Sequence, residues 1–235
     1  MVENMTQTAL EQVLQLPVAQ RAGVDLTQRL FVALDLRNRN LTQLDLRWSR
    51  FENCQLAGAD LSDSQLANAR FIQSNLRGAQ LRRCNLQATD FRGCDIRETH
   101  IEGANLQHAA LDHAQTAGMI ADDQTQFFKM TCPATGPFIA YKKCFNETLV
   151  TLLIPREAKR VMGTVRAGRC NQARVLAITS FDGKEAFEET TAPYHPNFVY
   201  RLGATVTVPD FDDNRWLESA PGIYFCMTPA EAIAY

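Results

Sequence analysis

From Ala59 to His113 the chain repeats itself every five residues: ADLSD, SQLAN, ARFIQ, SNLRG, AQLRR, CNLQA, TDFRG, CDIRE, THIEG, ANLQH, AALDH. The third residue of each five is large and apolar, from Leu61 and Leu66 through Phe71 to Leu106 and Leu111. The first is small, as in Ala59, Ser64, Ser74, Cys84, Thr89 and Ala104. A period of five matches neither the 3.6-residue turn of a helix nor the two-residue alternation of a strand. It suits a chain that turns a corner in every cell and buries one large and one small side chain on each short side. Such a cell cannot bury its apolar residue alone, so successive coils must stack and share a core. The large position extends upstream through Leu56, Phe51, Leu46, Leu41, Leu36, Phe31 and Leu26, while the small position degrades before Ser49.

A second spacing sets the number of sides. Phenylalanine holds the central position at Phe31, Phe51, Phe71 and Phe91, twenty residues apart. Four fives per coil would stack these rings on one interior face as a structural core, whereas a three-sided coil would scatter them. The eighteen central positions from Leu26 to Leu111, at four per coil, predict about four and a half coils. Each coil should rise by roughly the inter-strand spacing, ~4.8 Å.

These A(D/N)LXX cells resemble the pentapeptide-repeat family, well over residues 41–118 and loosely over 24–40. The resemblance implies a right-handed quadrilateral β-helix with the central residue and the small residue two before it pointing inward. One branch of that family consists of DNA mimics that bind DNA gyrase, which requires a strongly negative face. From Val24 to Gly118, however, there are eleven Asp and Glu and eleven Arg, with no Lys. Arg50 and Arg70 fall one coil apart on one face, and Arg77 and Arg97 on another, where a phosphate mimic should carry no positive charge. These arginines either form a surface for an acidic partner or DNA, or pair with neighbouring carboxylates in solvent. Cys54, Ser74 and Cys94 share one interior row and read as small inward fillers rather than metal ligands.

The stack needs caps. Residues 1–23 read as an N-terminal helical cap, with Thr8 and Glu11 as a capping box and Pro17 as the terminator; a secretion or partner-binding segment is the alternative. Residues 24–118 form the coil, which should stop where Thr116 replaces a leucine. Residues 119–127, with the polar run ADDQTQ, read as a linker, and 128–235 as a second domain.

In that domain FIAYKKC, LVTLLIP, ARVLAITS, FVYRL, ATVTVP and GIYFCM read as short strands. PREAKRVMG predicts a helical turn or two, and TPAE a capping box opening a final short helix. LVTLLIPREAKR, RCNQARVLAI, VTVPDFDDNRW and APGIYFCMTPAEAIAY resemble an uncharacterised C-terminal module attached to pentapeptide repeats in bacterial and phage proteins. That resemblance implies a domain boundary and no catalytic residues.

The chemistry-bearing residues of this domain are sparse. Cys132, Cys144, Cys170, Cys226 and His195 are zinc-ligand types, but their separations lack a close ligand pair. Cys170 or Cys132 with His195 lacks the local signature of a nucleophile, so buried structural cysteine is the expectation. Asp210, Asp212 and Asp213 beside Trp216 lack the Gly and distal Glu of a calcium loop and read as a polar loop between strands, with Trp216 a candidate interaction surface. Lys142, Lys143, Arg156, Lys159 and Arg160 form a basic stretch that either meets an acidic partner or is a solvated face.

Net charge −2 and pI ≈ 6.1 over 235 residues argue against a nucleic-acid partner. No apolar run is long enough for a membrane span, and no signal peptide is evident. Seven cysteines, an odd number without CxxC pairs, predict free thiols in a reducing cytoplasm. The expected molecule is mainly β: a pentapeptide-repeat solenoid followed by a small mostly-β (α+β) C-terminal domain. Its expected role is that of a non-enzymatic interaction or scaffold protein, without cofactor or metal, binding a protein partner as a monomer or weak homodimer. The alternatives are an enzymatic or small-ligand-binding C-terminal domain and a DNA-mimic modulator of gyrase or topoisomerase.

Overall fold

The fold is described from a computed structural model, which covers residues 4–21, 23–193, 195–217 and 219–235, with backbone only for 195 and 196. The chain divides into two compact units, one ending at Phe128 and the other beginning at Lys129.

In the first unit the period of twenty becomes a ladder of parallel pairings. β2 (Leu30–Val32), β3 (Arg50–Glu52) and β4 (Arg70–Ile72) pair in register, Phe31 with Phe51 and Phe51 with Phe71. Single bridges continue the ladder on the other sides, such as Asp35 with Gln55, Asn40 with Asp60 and Asp45 with Gln65. The four phenylalanine rings stack inside, with successive centroids 4.4, 4.8 and 5.1 Å apart. Where the small residue carries a polar hydrogen, it donates to a carbonyl, usually one coil below, although Ser49 and Thr99 bond Leu46 O and Ile96 O in their own coil. Ser64 Oγ reaches Leu41 O, Cys84 Sγ reaches Leu61 O and Thr89 Oγ1 reaches Leu66 O, at 2.8–3.0 Å. A small polar filler thus leaves no orphaned group in the core.

Where an Asp or Asn precedes the central residue, it closes the corner. Its Oδ1 accepts the backbone N–H two residues on, as Asp35 does from Arg37, Asn75 from Arg77 and Asn105 from Gln107. The last residue of every cell from Gln28 to Gly118 lies at φ between 50° and 75°. Most of these residues are not glycine, and such a conformation is uncommon for them. The ladder holds it: Asn38 N–H donates to Ala57 O, and Trp48 N–H to Ala67 O.

The coil extends past the expected stop at residue 118, so 119–127 is not an open linker. Ile120 bridges to His100 and Gln126 to Asn105, the latter after one extra residue in the loop. Thr125 Oγ1 donates to Ile101 O, doing what Thr89 does in an earlier cell. Asp122 Oδ1 accepts from Gly103 N–H and Gln124 N–H, so the polarity read as a linker is corner chemistry.

At the other end β1 (Asn4–Met5) adds a parallel strand to β2. The cap on α1 (Gln7–Gln15) is Thr6, whose hydroxyl accepts from Ala9 N–H, and not Thr8, which lies inside the helix. Glu11 faces Gln7 and Arg39 instead of closing a box. Arg21, at the end of α2 (Val18–Arg21), is buried and donates to Leu14 O, Leu16 O and Asn40 O, which ties the helices to the coil.

The second unit is an antiparallel seven-stranded sheet in the order β12-β9-β6-β5-β13-β8-β7. Its strands are β5 (Phe138–Cys144), β6 (Thr148–Ile154), β7 (Arg160–Met162), β8 (Ala167–Cys170), β9 (Gln172–Ser180), β12 (Thr205–Thr207) and β13 (Ile223–Cys226). The separate hairpin of β10 (Glu189–Ala192) and β11 (His195–Arg201) contributes Ala192 and Tyr200 to the main core. Phe138, Ala140, Val150, Leu152, Val175 and Phe225 form that core on one face of the sheet. On the other, α3 (Pro229–Ala234) packs Ala232 and Ile233 against Tyr141, Leu149 and Cys226. Its Thr228/Glu231 capping box is present as the TPAE signature predicts. The helical turn expected in PREAKRVMG is instead a tight turn leading into β7. The Arg160 guanidinium occupies the carbonyls of Pro155, Arg156 and Ala158, which a helix would need for its own N–H groups.

Candidate functional site

The coil surface is a lattice of ion pairs. Arg50 and Arg70 are cross-coil neighbours, as their spacing predicts. Arg50 lies against Glu52, and Arg70 lies 4.0 Å from Asp90, on the rim of a shallow notch of about 360 Å³ lined also by Arg92 and Gln73. Arg77 pairs with Glu98 and Arg97 with Asp95, both at 2.7 Å. Within single cells Arg37 forks onto Asp35, Arg47 onto Asp45 and Arg92 onto Asp90. The Arg37 side chain holds the Asp35 carboxyl down to about 2, and Arg97 holds Asp95 below the usual range. The coil therefore carries no continuous negative stripe among its described residues.

The basic stretch of the second unit divides. Strand alternation turns Lys142 to the side of Ala140 and Cys144, and Lys143 to the opposite side, where its Nζ donates to Ile233 O. Lys142 lies half-buried with Nζ 5.9 Å from the Tyr224 ring centre, and burial pulls its ammonium below the ordinary lysine range. Arg160 is structural: its fork reaches Gly136 O at 2.6 Å, Pro155 O at 2.8 Å and Arg156 O at 3.0 Å. Arg156 and Lys159 stand exposed beside it, on the wall of a concavity of about 580 Å³ that Ala134, Thr135 and Gly136 close from the other side.

Asp210 and Asp213 are exposed, while Asp212 caps its own turn by accepting Asn214 N–H. Trp216 lies under the Arg215 guanidinium at 4.3 Å. The residue that organises this loop is Arg169, which is 4% exposed. It donates to the carbonyls of Asp212, Pro221, Asn214 and Leu217. Nothing in its local sequence, AGRCNQ, distinguishes it from a surface arginine.

All seven cysteines are free and buried. Burial pushes the thiols of Cys144 and Cys170 up to about 12 and that of Cys226 up to about 11, and it also raises Cys132. The His195 side chain lies outside the described residues. Among the described residues no group of three or more His, Cys, Asp or Glu gathers to hold a metal ion, and no helix is long and apolar enough to cross a membrane.

The twenty-residue pairing and the family comparison agree. The family described as "Pentapeptide repeat region" matches residues 44–119. The coil is a pentapeptide-repeat region. Residues 128–232 match a second family, described as "Family of unknown function (DUF5758)". No curated protein matches the chain. Among solved structures it is similar to a pentapeptide repeat protein of the Arabidopsis thaliana thylakoid lumen, at 20% identity over 51% of this chain and 76% of that one, TM-score 0.29. A pentapeptide repeat protein of Nostoc PCC 7120 shares 24% identity over 55% and 92% of the two chains, TM-score 0.24. QnrB1, a plasmid-mediated fluoroquinolone resistance protein, shares 15% over 43% and 76%, TM-score 0.24. At these scores the likenesses add nothing to the coil geometry itself. Within the pentapeptide-repeat region the cells were legible from the sequence, but the left-handed corners were not: only Gly58, Gly78, Gly93, Gly103 and Gly118 advertise them.

Proposed function

We propose that this protein is a non-enzymatic interaction protein in which the pentapeptide-repeat coil is a stiff support and the C-terminal domain is the recognition module. The observation that carries the reading is a pair of exposed apolar side chains, Ile139 and Leu176, flanking Leu153 and the exposed Arg174 on the sheet face that bears α3, with Leu176 at the β9 bulge. Ile139 pairs with Leu153 and Leu153 with Arg174 across β5, β6 and β9. Leu176 follows on the same side of β9, and Ile139 and Leu176 are 40% and 42% exposed. Single exposed apolar residues are ordinary, but several gathered on one face mark a contact surface. The partner is a protein, and the chain works as a monomer or weak dimer in a reducing cytoplasm that keeps its thiols free. The paired carboxylates of the coil argue against a gyrase-directed DNA mimic, which needs uncompensated negative charge.

Affinity capture from host lysate with full-length protein tests this reading. The baits are the wild type, an Ile139→Lys/Leu176→Lys variant and an Arg50→Glu/Arg70→Glu variant. The expected result is a protein retained by the first and third baits and absent from the second. Retention lost only with the coil variant would move recognition to the coil. An empty capture with all three would remove the support for an interaction role.

A further inference from the structure

We propose that the concavity between residues 134–136 and 156–160 is a binding site for a small ligand bearing a phosphate or diphosphate group. Its volume, about 580 Å³, lies within the range of small-molecule sites. Its walls are two loops that Arg160 locks together, since one guanidinium holds Gly136 O on one side and Pro155 O and Arg156 O on the other. The guanidinium also rests on the Phe138 ring, 5.2 Å from its centre. The opening is thereby shaped in advance, and preorganisation lowers the entropic cost of binding.

The charge at this opening is positive. Arg156 and Lys159 are exposed lining residues, and among the described residues neither side chain has a carboxylate partner. This contrasts with the coil, where arginine after arginine is neutralised. The other wall supplies neutral donors. The backbone N–H groups of Ala134, Thr135 and Gly136 have no protein acceptor among the described residues, and Gly136 lies at φ 79°. Successive free N–H groups ending in a left-handed residue form the kind of backbone concavity that takes anions. Two cations lining the same opening as a run of unpartnered N–H donors and a threonine hydroxyl suit the several acceptor oxygens of a phosphate better than the two of a carboxylate. The small side chains of Ala134 and Ala158 leave room beyond the anion for an organic group. The site is separate from the Ile139–Leu176 pair, so it stands or falls independently of the interaction reading.

Isothermal titration of the full-length protein at low ionic strength tests the assignment, with inorganic phosphate, pyrophosphate and glutarate as probes. The expected result is saturable pyrophosphate binding that weakens at least about tenfold in an Arg156→Gln/Lys159→Gln variant. A Lys184→Gln variant, altered elsewhere in the same domain, should bind as the wild type does. Both variants should melt at the wild-type temperature, because neither removes a contact of Arg160. Amide shifts of residues 134–136 on pyrophosphate addition would place the ligand. Absence of saturable binding at millimolar pyrophosphate, equal binding by the double variant, or glutarate binding as tightly as pyrophosphate would each overturn the proposal.

Discussion

Phe51 and Phe71 lie face to face inside the coil, with ring centres 4.8 Å apart and planes 10° from parallel. The separation matches the rise of one coil, so backbone ladder and ring stack impose the same repeat. Phe71 also stacks on Phe91 at 5.1 Å, which places it in the middle of the column. Phe71→Ala should therefore remove contacts on both sides and cost about 3–5 kcal/mol. Phe71→Leu, which installs the commoner residue of this position, should cost less than half as much. Denaturant unfolding of both variants measures the difference. Equal losses would mean that leucine's apolar volume restores nothing here and that the position depends on the stacked ring itself.

Arg169 offers a second test. Removing it takes away the guanidinium donor shared by four carbonyls of the 212–221 loop. Arg169→Ala should cost roughly 2–4 kcal/mol, since it deletes a buried guanidinium that makes charge-assisted hydrogen bonds to four loop carbonyls. Arg169→Lys should recover only part of this, because an ammonium cannot fork across four acceptors. In a Trp48→Phe background, Trp216 fluorescence should shift with the loop. An unchanged emission spectrum in Arg169→Ala would contradict the clamp.

The thiols should be inert. Cys84, Cys144 and Cys170 are pushed up to about 12 and Cys94 to about 11 by burial, so little thiolate exists at pH 8. A disulfide-exchange reagent should modify native protein only as fast as the chain opens, and all seven cysteines promptly in denaturant. A fast native fraction would reveal an accessible cysteine.

Acid should weaken the coil in a defined direction. The carboxyls of Asp35, Asp45, Asp90 and Asp95 are held down by hydrogen bonds from Arg37, Arg47, Arg92 and Arg97. A lowered folded-state value gives stability that is complete above the unfolded value, near ~4, and lost as pH falls through the folded one. For Asp35 that window extends to about 2. Melting temperature should hold steady above pH ~5 and fall below pH ~4. Asp90→Asn should flatten part of that decline while retaining the turn, since Asn75 and Asn105 accept the same kind of N–H elsewhere. Asp90→Ala should lose the turn contact as well and unfold at lower denaturant. Identical acid profiles for wild type and Asp90→Asn would show that the pair contributes nothing.

Much of the fold was legible in the chain because the coil is built from one local rule repeated. The spacing of Phe31, Phe51, Phe71 and Phe91 determined the number of sides, and the large and small positions determined which residues point inward. These inferences need only residues within one cell and their images twenty positions away, so periodicity carries them. The exposed corners and the end of the coil escaped, because Trp48 and Asn53 resemble any surface residue and Thr125 fills its position after an inserted residue. In the second unit no period exists. Strand content was readable from β-branched and aromatic runs, and alternation put Lys142 and Lys143 on opposite faces, but only the assembled sheet set which of them faces α3. The roles of Arg160 and Arg169 depend on carbonyls that the chain delivers from loops up to 27 residues before Arg160 and 52 after Arg169. Whether an arginine neutralises a neighbour, clamps a loop or stands free for a ligand is decided by which acceptors the fold brings within hydrogen-bond reach, and that proximity exists only once the sheet has assembled.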